Sequence, residues 1–223
     1  GDGTLYGSWH RVELFDQWPE EAELADVVSI MNRSATEETT SPIWPVVSEV
    51  LAGGDAPSEL AGELVAMLDA WVADDAPLLD ADEDGNNDAA ASRVMGELWA
   101  PIVDAALDPV LGSLIADDIN LRGVGRNSVV DKDLRTLLGQ PVEAPYGVSY
   151  CGAGDLDQCR SDLWAAIDAR ATELAAELGD DPTTWLREGR RLTFTPGLIP
   201  DDFRATNRPT YQQVLEFAPE RDE

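Results

Sequence analysis

Apolar residues spaced three and four positions apart, in runs divided by proline and glycine, most limit the possible folds of this chain. Such spacing places the apolar side chains on one face of an α-helix. One example is the run from Leu60 to Trp71, which follows Pro57 and carries apolar residues at helical spacing. The sequence therefore predicts a mainly α-helical, irregular multi-helix fold with a little β-structure near the termini. The apolar stripes are interpreted as core-packing surfaces.

Proline and glycine positions give the expected helix boundaries. The predicted helices begin near Pro19, Ser41, Pro57, Ala89, Pro109, Asp131, Leu163 and Pro182. Pro101 is expected to kink or divide the helix that starts at Ala89, because proline removes a backbone hydrogen bond. The glycine-bearing stretch 122–130 is predicted to be a loop, and residues after Arg191 are predicted to be extended. We expect one domain over 1–223, with a lead-in at 1–18, a helical core at 19–190 and an extended C-terminal tail at 191–223.

The acidic segment between the third and fourth predicted helices has the pattern of a cation-binding loop. Its oxygen-bearing candidate ligands are Asp80, Asp82, Asp84, Asn86 and Asp88, with Gly85 at the position of a sharp turn. Ca²⁺ takes about six to eight oxygen ligands, and a tight loop supplies them from alternate residues. The segment departs from the EF-hand pattern because Ala91 stands where that loop carries a bidentate glutamate. We predict a structural Ca²⁺ site; the alternative is an acidic lead-in that favours the helix N-terminus.

The charge balance limits the classes of partner. The chain has 44 acidic and 15 basic residues, so its formal net charge is −29. A field of this sign repels nucleic-acid phosphates and anionic lipid surfaces. We therefore expect neither nucleic acid nor a membrane surface as a partner. No continuous apolar stretch approaches the length of a membrane-spanning helix.

The two cysteines, Cys151 and Cys159, lie close together in a glycine-containing stretch. They do not form a C-x-x-C pattern, and the single histidine, His10, cannot anchor a histidine-based metal site. A local disulfide is predicted if the protein is exported, and a reduced pair is the alternative.

Four segments resemble those of a known family. The sequence VDKDLRTLLG at 130–139 and the sequence FRATNRPTYQQV at 203–214 are similar to segments of the penicillin acylase family. WHRVE at 9–13 and NRSA at 32–35 are similar as well, and the acidic loop has a counterpart in the family. The resemblance therefore extends over nearly the whole chain.

The resemblance implies an N-terminal-nucleophile hydrolase that is exported, cut into two chains and active on amide bonds of acylated amines. In that family the nucleophile is the first residue of the larger chain, and its own α-amino group acts as the base. The catalytic stretches have no counterpart here, so no catalytic role is carried over to Ser8 or Asn207. We expect this chain to be the helical C-terminal part of the larger chain, without the αββα sandwich. Its expected partners are the catalytic sandwich and the smaller chain, and its expected location is extracellular or periplasmic.

Two functions follow from this reading. The first is a non-catalytic helical region that packs against the sandwich and walls the acyl pocket of an enzyme acting on β-lactam or acyl-homoserine-lactone type amides. The second is a free-standing, exported calcium-binding module for protein interaction. In both, the acidic loop has a structural role.

Overall fold

Helices form most of the described structure, as the apolar spacing predicts. The computed structural model describes residues 18–112, 124–142 and 147–189, together with residue 14 and the pairs 191–192 and 203–204. The α-helices are α1 (Leu24–Thr36), α2 (Trp44–Leu51), α3 (Glu59–Ala73), α4 (Ala91–Leu111), α5 (Val124–Leu137) and α6 (Leu156–Leu178). Short 3₁₀ segments cover Ser41–Ile43, Cys151–Gly154 and Pro182–Thr184. Within these ranges no helix has the length and apolarity needed to cross a bilayer.

The core lies between the two longest helices, α4 and α6, with α2 and α3 packed beside them. Completely buried side chains come from all four helices and include Val47, Leu64, Leu98, Ile102, Ile167 and Leu174. Burying apolar surface of this kind is the main stabilising contribution to a helical fold. The apolar stripes of α2, α3, α4 and α6 therefore form the core, as predicted. The stripe of α1 does not, because Leu24 and Val28 are exposed.

Tryptophan side chains join the helices to their connecting segments. Five indole N–H groups donate to a hydrogen-bond partner while the ring is wholly or partly buried. The pairs are Trp44 to Asp69 at 2.7 Å, Trp71 to the Pro77 carbonyl at 3.2 Å, Trp99 to Asn127 at 2.8 Å, Trp164 to the Leu51 carbonyl at 3.2 Å and Trp185 to the Gly179 carbonyl at 2.9 Å. These contacts give the five tryptophans a structural role.

Side-chain caps set two of the helix starts. The Ser58 hydroxyl accepts from the Ala61 N–H at 3.1 Å at the start of α3, close to the predicted boundary. The Asp155 carboxylate accepts from the Asp157 N–H at 2.9 Å and from the Gln158 N–H at 3.0 Å, and α6 begins at Leu156. The prediction that α6 begins at Leu163 was wrong, because Asp155 satisfies the free amide groups of the first turn.

Three other sequence-based boundaries were wrong. The expected loop at 122–130 is helical from Val124 onward. Its glycine is unfavourable in a helix, but Val130 and Leu134 on the same helix are fully buried, and this packing outweighs local propensity. Of the two outcomes expected at Pro101, a kink or a division, the division is wrong, because α4 runs from Ala91 to Leu111 as one helix. The first helix begins at Leu24 and not at Pro19.

The two ends of the chain are described only in part. The strands β1 (Arg191–Leu192) and β2 (Phe203–Arg204) pair antiparallel, with Arg191 opposite Arg204. The predicted extended lead-in at 10–15, apart from residue 14, lies outside the described residues. The same is true of the segments 193–195 and 211–217 and of the predicted helical residues 113–119.

A disulfide joins Cys151 to Cys159, the pair named from the sequence. Both sulfurs are buried, and the bond links the 3₁₀ segment to the first turn of α6. Gly152 sits between them with φ of 56°, and a Cβ there would lie 2.4 Å from the Cys159 nitrogen. Only glycine can meet both conditions, so this residue fixes the close approach of the turn to the helix.

Candidate metal site

The acidic loop connects α3 to α4, and its entrance is fixed by contacts with α1. The chain leaves α3 through Asp75 and Ala76, which have positive φ values of 63° and 44°. Arg33 on α1 holds the Asp75 carboxylate at 2.6 Å. The Leu78 N–H donates to the Thr36 carbonyl at 2.8 Å, which begins a short antiparallel contact with the end of α1. The path into the loop is therefore set before the first aspartate.

Three of the predicted ligands lie together. One carboxylate oxygen from each of Asp80, Asp82 and Asp88 lies within 4.8 Å of the other two. Two oxygens on opposite sides of a Ca²⁺ ion are about 4.8 Å apart, since each Ca–O bond is about 2.4 Å long. Asp80 is half-buried and the other two are exposed, so water has access to the remaining coordination positions. The donor set is all oxygen and matches a hard cation.

Backbone amides hold these carboxylates in place. Both Asp88 oxygens accept from the Ala81 N–H at 3.1 Å, and the Asp88 N–H donates to the Leu79 carbonyl at 2.7 Å. Asp82 accepts from the Asp84 N–H at 3.3 Å. These bonds close the loop on itself and leave further carboxylate lone pairs for a cation, since an ionised carboxylate has about four acceptor sites.

The other two predicted ligands are placed differently. The Asp84 carboxylate accepts from the Asn86 backbone N–H at 2.7 Å and from its side-chain N–H at 3.3 Å, and Asp84 is not in the three-aspartate group. Asn86 lies opposite Glu188 in an isolated β-bridge. Ala91, at the twelfth loop position, is buried at the start of α4. The arrangement is thus a three-carboxylate group rather than the complete EF-hand set.

A segment far along the chain braces the loop, and sequence reasoning missed it. The Asn87 N–H donates to the Arg187 carbonyl at 2.8 Å, and the Gly189 N–H donates to the Gly85 carbonyl at 2.8 Å. A Cβ on Gly189 would lie 3.3 Å from that carbonyl oxygen, so the close approach favours glycine. Nothing in the local sequence pattern links these residues, because the pairing depends on how α6 returns the chain.

The buried side chain of Asn87 connects the loop to α4. Its Nδ2 donates to the Ser92 hydroxyl at 3.4 Å, and both residues are almost completely inaccessible to solvent. A buried amide needs hydrogen-bond partners, so its position is tied to the first turn of the helix. The acidic loop is consequently held at three places: by α1 where the chain leaves α3, by the segment 187–189, and by Asn87 at the start of α4.

Three carboxylates outside the loop have raised pKa values because burial penalises their charged forms. For Glu37 this effect exceeds the opposing attraction of Arg33 and the hydrogen bond from Ser41. Burial also raises the pKa of Asp131 against the effect of its bond from Arg135. Raised pKa values can mark catalytic acids, but each of these groups is held by a structural partner.

Burial likewise raises the pKa of Asp133, although two backbone amides oppose the effect. The carboxylate accepts from the Tyr150 N–H at 2.9 Å and from the Cys151 N–H at 2.8 Å. Asp133 therefore ties α5 to the disulfide turn. Its position among backbone donors gives it an anchoring role.

Comparisons with known proteins leave the family open. No protein-family model matches this chain, and no curated protein matches it. Its function must therefore be inferred from its own residues and their geometry.

Proposed function

We propose that this chain is the non-catalytic helical region of a penicillin acylase-like amidohydrolase. The observation that carries this proposal is the similarity of residues 130–139 and 203–214 to that family. In the fold, residues 130–137 belong to α5, where Val130 and Leu134 are buried and Asp133 anchors the disulfide turn. Residues with these packing and anchoring roles stabilise the helical region, and the catalytic residues would belong to another part of the enzyme.

The parent enzyme would hydrolyse amide bonds of acylated amines, of β-lactam or acyl-homoserine-lactone type, in the extracellular space or the periplasm. The Cys151–Cys159 disulfide supports export, because such bonds persist in oxidising compartments. The helical region would pack against the catalytic sandwich and wall the acyl pocket. Exposed apolar residues on α1 support contact with another part of the enzyme: Leu24 is 44% exposed and Val28 is 50% exposed.

The proposed role of the acidic loop is to bind a structural Ca²⁺ ion. Asp80, Asp82 and Asp88 would hold the ion, which would supply positive charge and polarise no substrate. Without a cation, three neighbouring carboxylates repel one another. Binding would remove that repulsion and fix the loop between α3 and α4, together with the bracing segment at 187–189.

Thermal unfolding tests the calcium proposal directly. The melting temperature should rise by several degrees between EDTA and millimolar Ca²⁺, because an ion that binds only the folded state stabilises it by mass action. Mg²⁺ should have a smaller effect, because it requires near-ideal octahedral geometry with shorter bonds. An equal melting temperature in EDTA and Ca²⁺ would show that the loop is a solvated helix lead-in.

A matched pair of variants locates the ion. Asp82→Asn should abolish most of the calcium-dependent rise, because Asp82 belongs to the three-aspartate group. Asp84→Asn should retain most of it, because the Asp84 carboxylate bonds to Asn86 and its amide replacement can still accept from that N–H. An equal loss in both variants would contradict the three-carboxylate arrangement.

The family proposal requires the complete gene product. The complete protein should release a chromogenic amine from an acylated substrate, and its larger chain should begin with the nucleophilic serine upstream of these residues. The 223-residue chain alone should be inactive. A complete protein without such a serine, or one inactive toward a panel of acylated amines, would overturn the assignment.

The second candidate is a free-standing, exported calcium-binding interaction module. It is favoured by the extent of the core, since α2, α3, α4 and α6 enclose a cluster of fully buried side chains. This candidate predicts that the gene encodes an export signal and no catalytic sandwich. It also predicts calcium-dependent capture of a partner by a monomeric chain, whereas the first candidate predicts that the isolated chain self-associates through its uncovered apolar surface.

A further inference from the structure

Arg93 and Arg187 differ in their ion pairs from the four other arginines whose side chains the structure describes. Close carboxylate partners are present in Arg33–Asp75 at 2.6 Å, Arg135–Asp131 at 2.8 Å, Arg160–Asp157 at 2.5 Å and Arg170–Glu97 at 2.7 Å. Arg93 and Arg187 have no partner this close among the described residues. In a chain with 44 acidic residues and 15 basic ones, such guanidinium groups are unusual.

Both arginines line the same pocket. This cavity of about 310 Å³ lies between α4, which contributes Arg93, Gly96 and Glu97, and the bracing segment, which contributes Arg187 and Glu188. Two positive side chains from separate parts of the chain therefore meet at one opening. The pocket is distinct from the three-aspartate group, although the same segment borders both.

These arginines make few close contacts with acceptors in the part of the chain that the structure describes. The Arg93 Nη2 lies 3.7 Å from Glu97, beyond hydrogen-bond distance, and its buried Nε has no hydrogen-bond partner within the described structure. Arg187 makes one long bond, 3.5 Å from Nη1 to the Ser92 carbonyl. The Arg93 side chain is 30% exposed and Arg187 is exposed, so both side chains are accessible to a ligand that enters the pocket from solution.

The neighbouring glutamates hold these two arginines only loosely. Glu97 directs one oxygen to Arg170 at 2.7 Å, and its other oxygen lies 3.7 Å from Arg93 in a longer ion pair. Glu188 is exposed and makes no ion pair in the part of the chain that the structure describes. The two guanidinium groups thus keep capacity for an external anion.

Gly96 leaves space for this arrangement. A Cβ at this position would lie 3.2 Å from the Arg187 Nη1. Glycine is unfavourable inside a helix, and here its lack of a side chain allows the guanidinium to lie against α4. The absence of a side chain at Gly96 therefore allows the Arg187 guanidinium to line the pocket.

We propose that Arg93 and Arg187 bind a single carboxylate group. A guanidinium presents a planar set of N–H donors that matches the two oxygens of a carboxylate. A phosphate dianion fits less well, because Glu97 and Glu188 line the same pocket and the chain has a net charge of −29. The carboxylate comes either from a small acid or from an acidic side chain of a protein, and the two sources are distinguishable.

Arginine Nε–Hε and backbone amide NMR signals report on this site. The folded chain is titrated with sodium acetate, with chloride replaced so that ionic strength stays constant. A second titration uses a peptide with one glutamate and blocked termini, and a third uses inorganic phosphate. Signals of Arg93, Gly96 and Arg187 should shift saturably with acetate, with millimolar half-saturation because the ligand has few atoms.

Variants distinguish bidentate recognition from general attraction. Arg93→Gln and Arg187→Gln should each weaken acetate binding about tenfold, and Arg187→Lys should also weaken it because lysine keeps the charge but lacks the planar donors. Arg135→Gln removes an equal charge elsewhere and should leave the affinity unchanged. Native-like amide spectra establish that each variant is folded.

The outcomes separate the alternatives. Saturation by acetate alone identifies small acids as the source, and saturation by the glutamate peptide identifies a protein side chain. Linear shifts, shifts that persist in both glutamine variants, or tighter binding of phosphate than of acetate would each overturn the carboxylate site.

Discussion

At the scale of single residues, carboxylates with similar sequence surroundings have different roles. Asp82 and Asp84 occupy equivalent alternate positions, yet one joins the three-aspartate group and the other caps Asn86. The sequence pattern predicts a turn with oxygen donors, and it contains no information on which carboxylate rotates inward. The folded loop makes that distinction, since the Asp84 carboxylate accepts from both N–H groups of Asn86 and Asp82 lies beside Asp80 and Asp88.

Glu37 gives a prediction at the same scale. Its pKa is raised above the ordinary value of 4.5 chiefly by burial, so the folded state binds its proton more tightly than the unfolded state does. Folding free energy associated with Glu37 is therefore most favourable at low pH, and it is lost as pH rises from 4.5 through the raised pKa. Glu37→Gln should remove this loss.

Urea unfolding of wild type and Glu37→Gln at several pH values tests this sign. The stability of the variant relative to wild type should increase from pH 4.5 toward neutrality. Other titrating groups are common to both proteins and cancel in the difference. Glu63→Gln, at an exposed position on α3, controls for the removal of one negative charge. A relative stability that falls with pH would show that the attraction of Arg33 exceeds the cost of burial.

At the scale of elements, the sequence predicts interiors better than boundaries. The stripe that follows Ser58 gives α3 correctly, because a hydroxyl cap and an apolar face agree there. The same reasoning failed at 122–130, where local glycine favours a loop but the burial of Val130 favours the helix. Tertiary packing decided that case, and packing partners cannot be identified from a single window of sequence.

The disulfide turn yields a prediction with an internal control. Gly152 has a φ of 56° and Gly139 has a φ of 71°. Of these two glycines, Gly139 has open space for a Cβ and Gly152 does not. Gly139→Ala should therefore cost about 1–2 kcal/mol of unfolding free energy from backbone strain alone. Gly152→Ala adds a contact of 2.4 Å with the Cys159 nitrogen and should cost about 2–4 kcal/mol.

Chemical unfolding of the oxidised proteins measures both costs. The difference between the two variants reports how rigidly the disulfide and Asp133 hold the turn. Equal costs would mean that the turn moves away from α6 without loss of native packing. A larger cost at Gly139 would contradict the structural account of this turn.

At the scale of the whole molecule, net charge controls the conditions under which the fold is stable. A charge of −29 on 223 residues disfavours the compact state through self-repulsion, and salt screens that repulsion. Sequence alone establishes this property, because it depends on composition. Composition does not establish where a specific ion could bind, since that depends on the spatial grouping of residues such as Asp80, Asp82 and Asp88.

Screening and specific binding can be separated in one experiment. The melting temperature in EDTA should rise by a few degrees between about 20 and 500 mM NaCl, because the Debye length falls across this range. Millimolar Ca²⁺ added at the highest NaCl concentration should raise it further, since direct coordination is less sensitive to screening than surface repulsion is. If NaCl alone produced the whole effect of Ca²⁺, then Ca²⁺ would act as a general counterion, and the three-aspartate group would not be a specific Ca²⁺ site. If the melting temperature fell as NaCl increased, attractive pairs such as Arg170–Glu97 would outweigh the net repulsion.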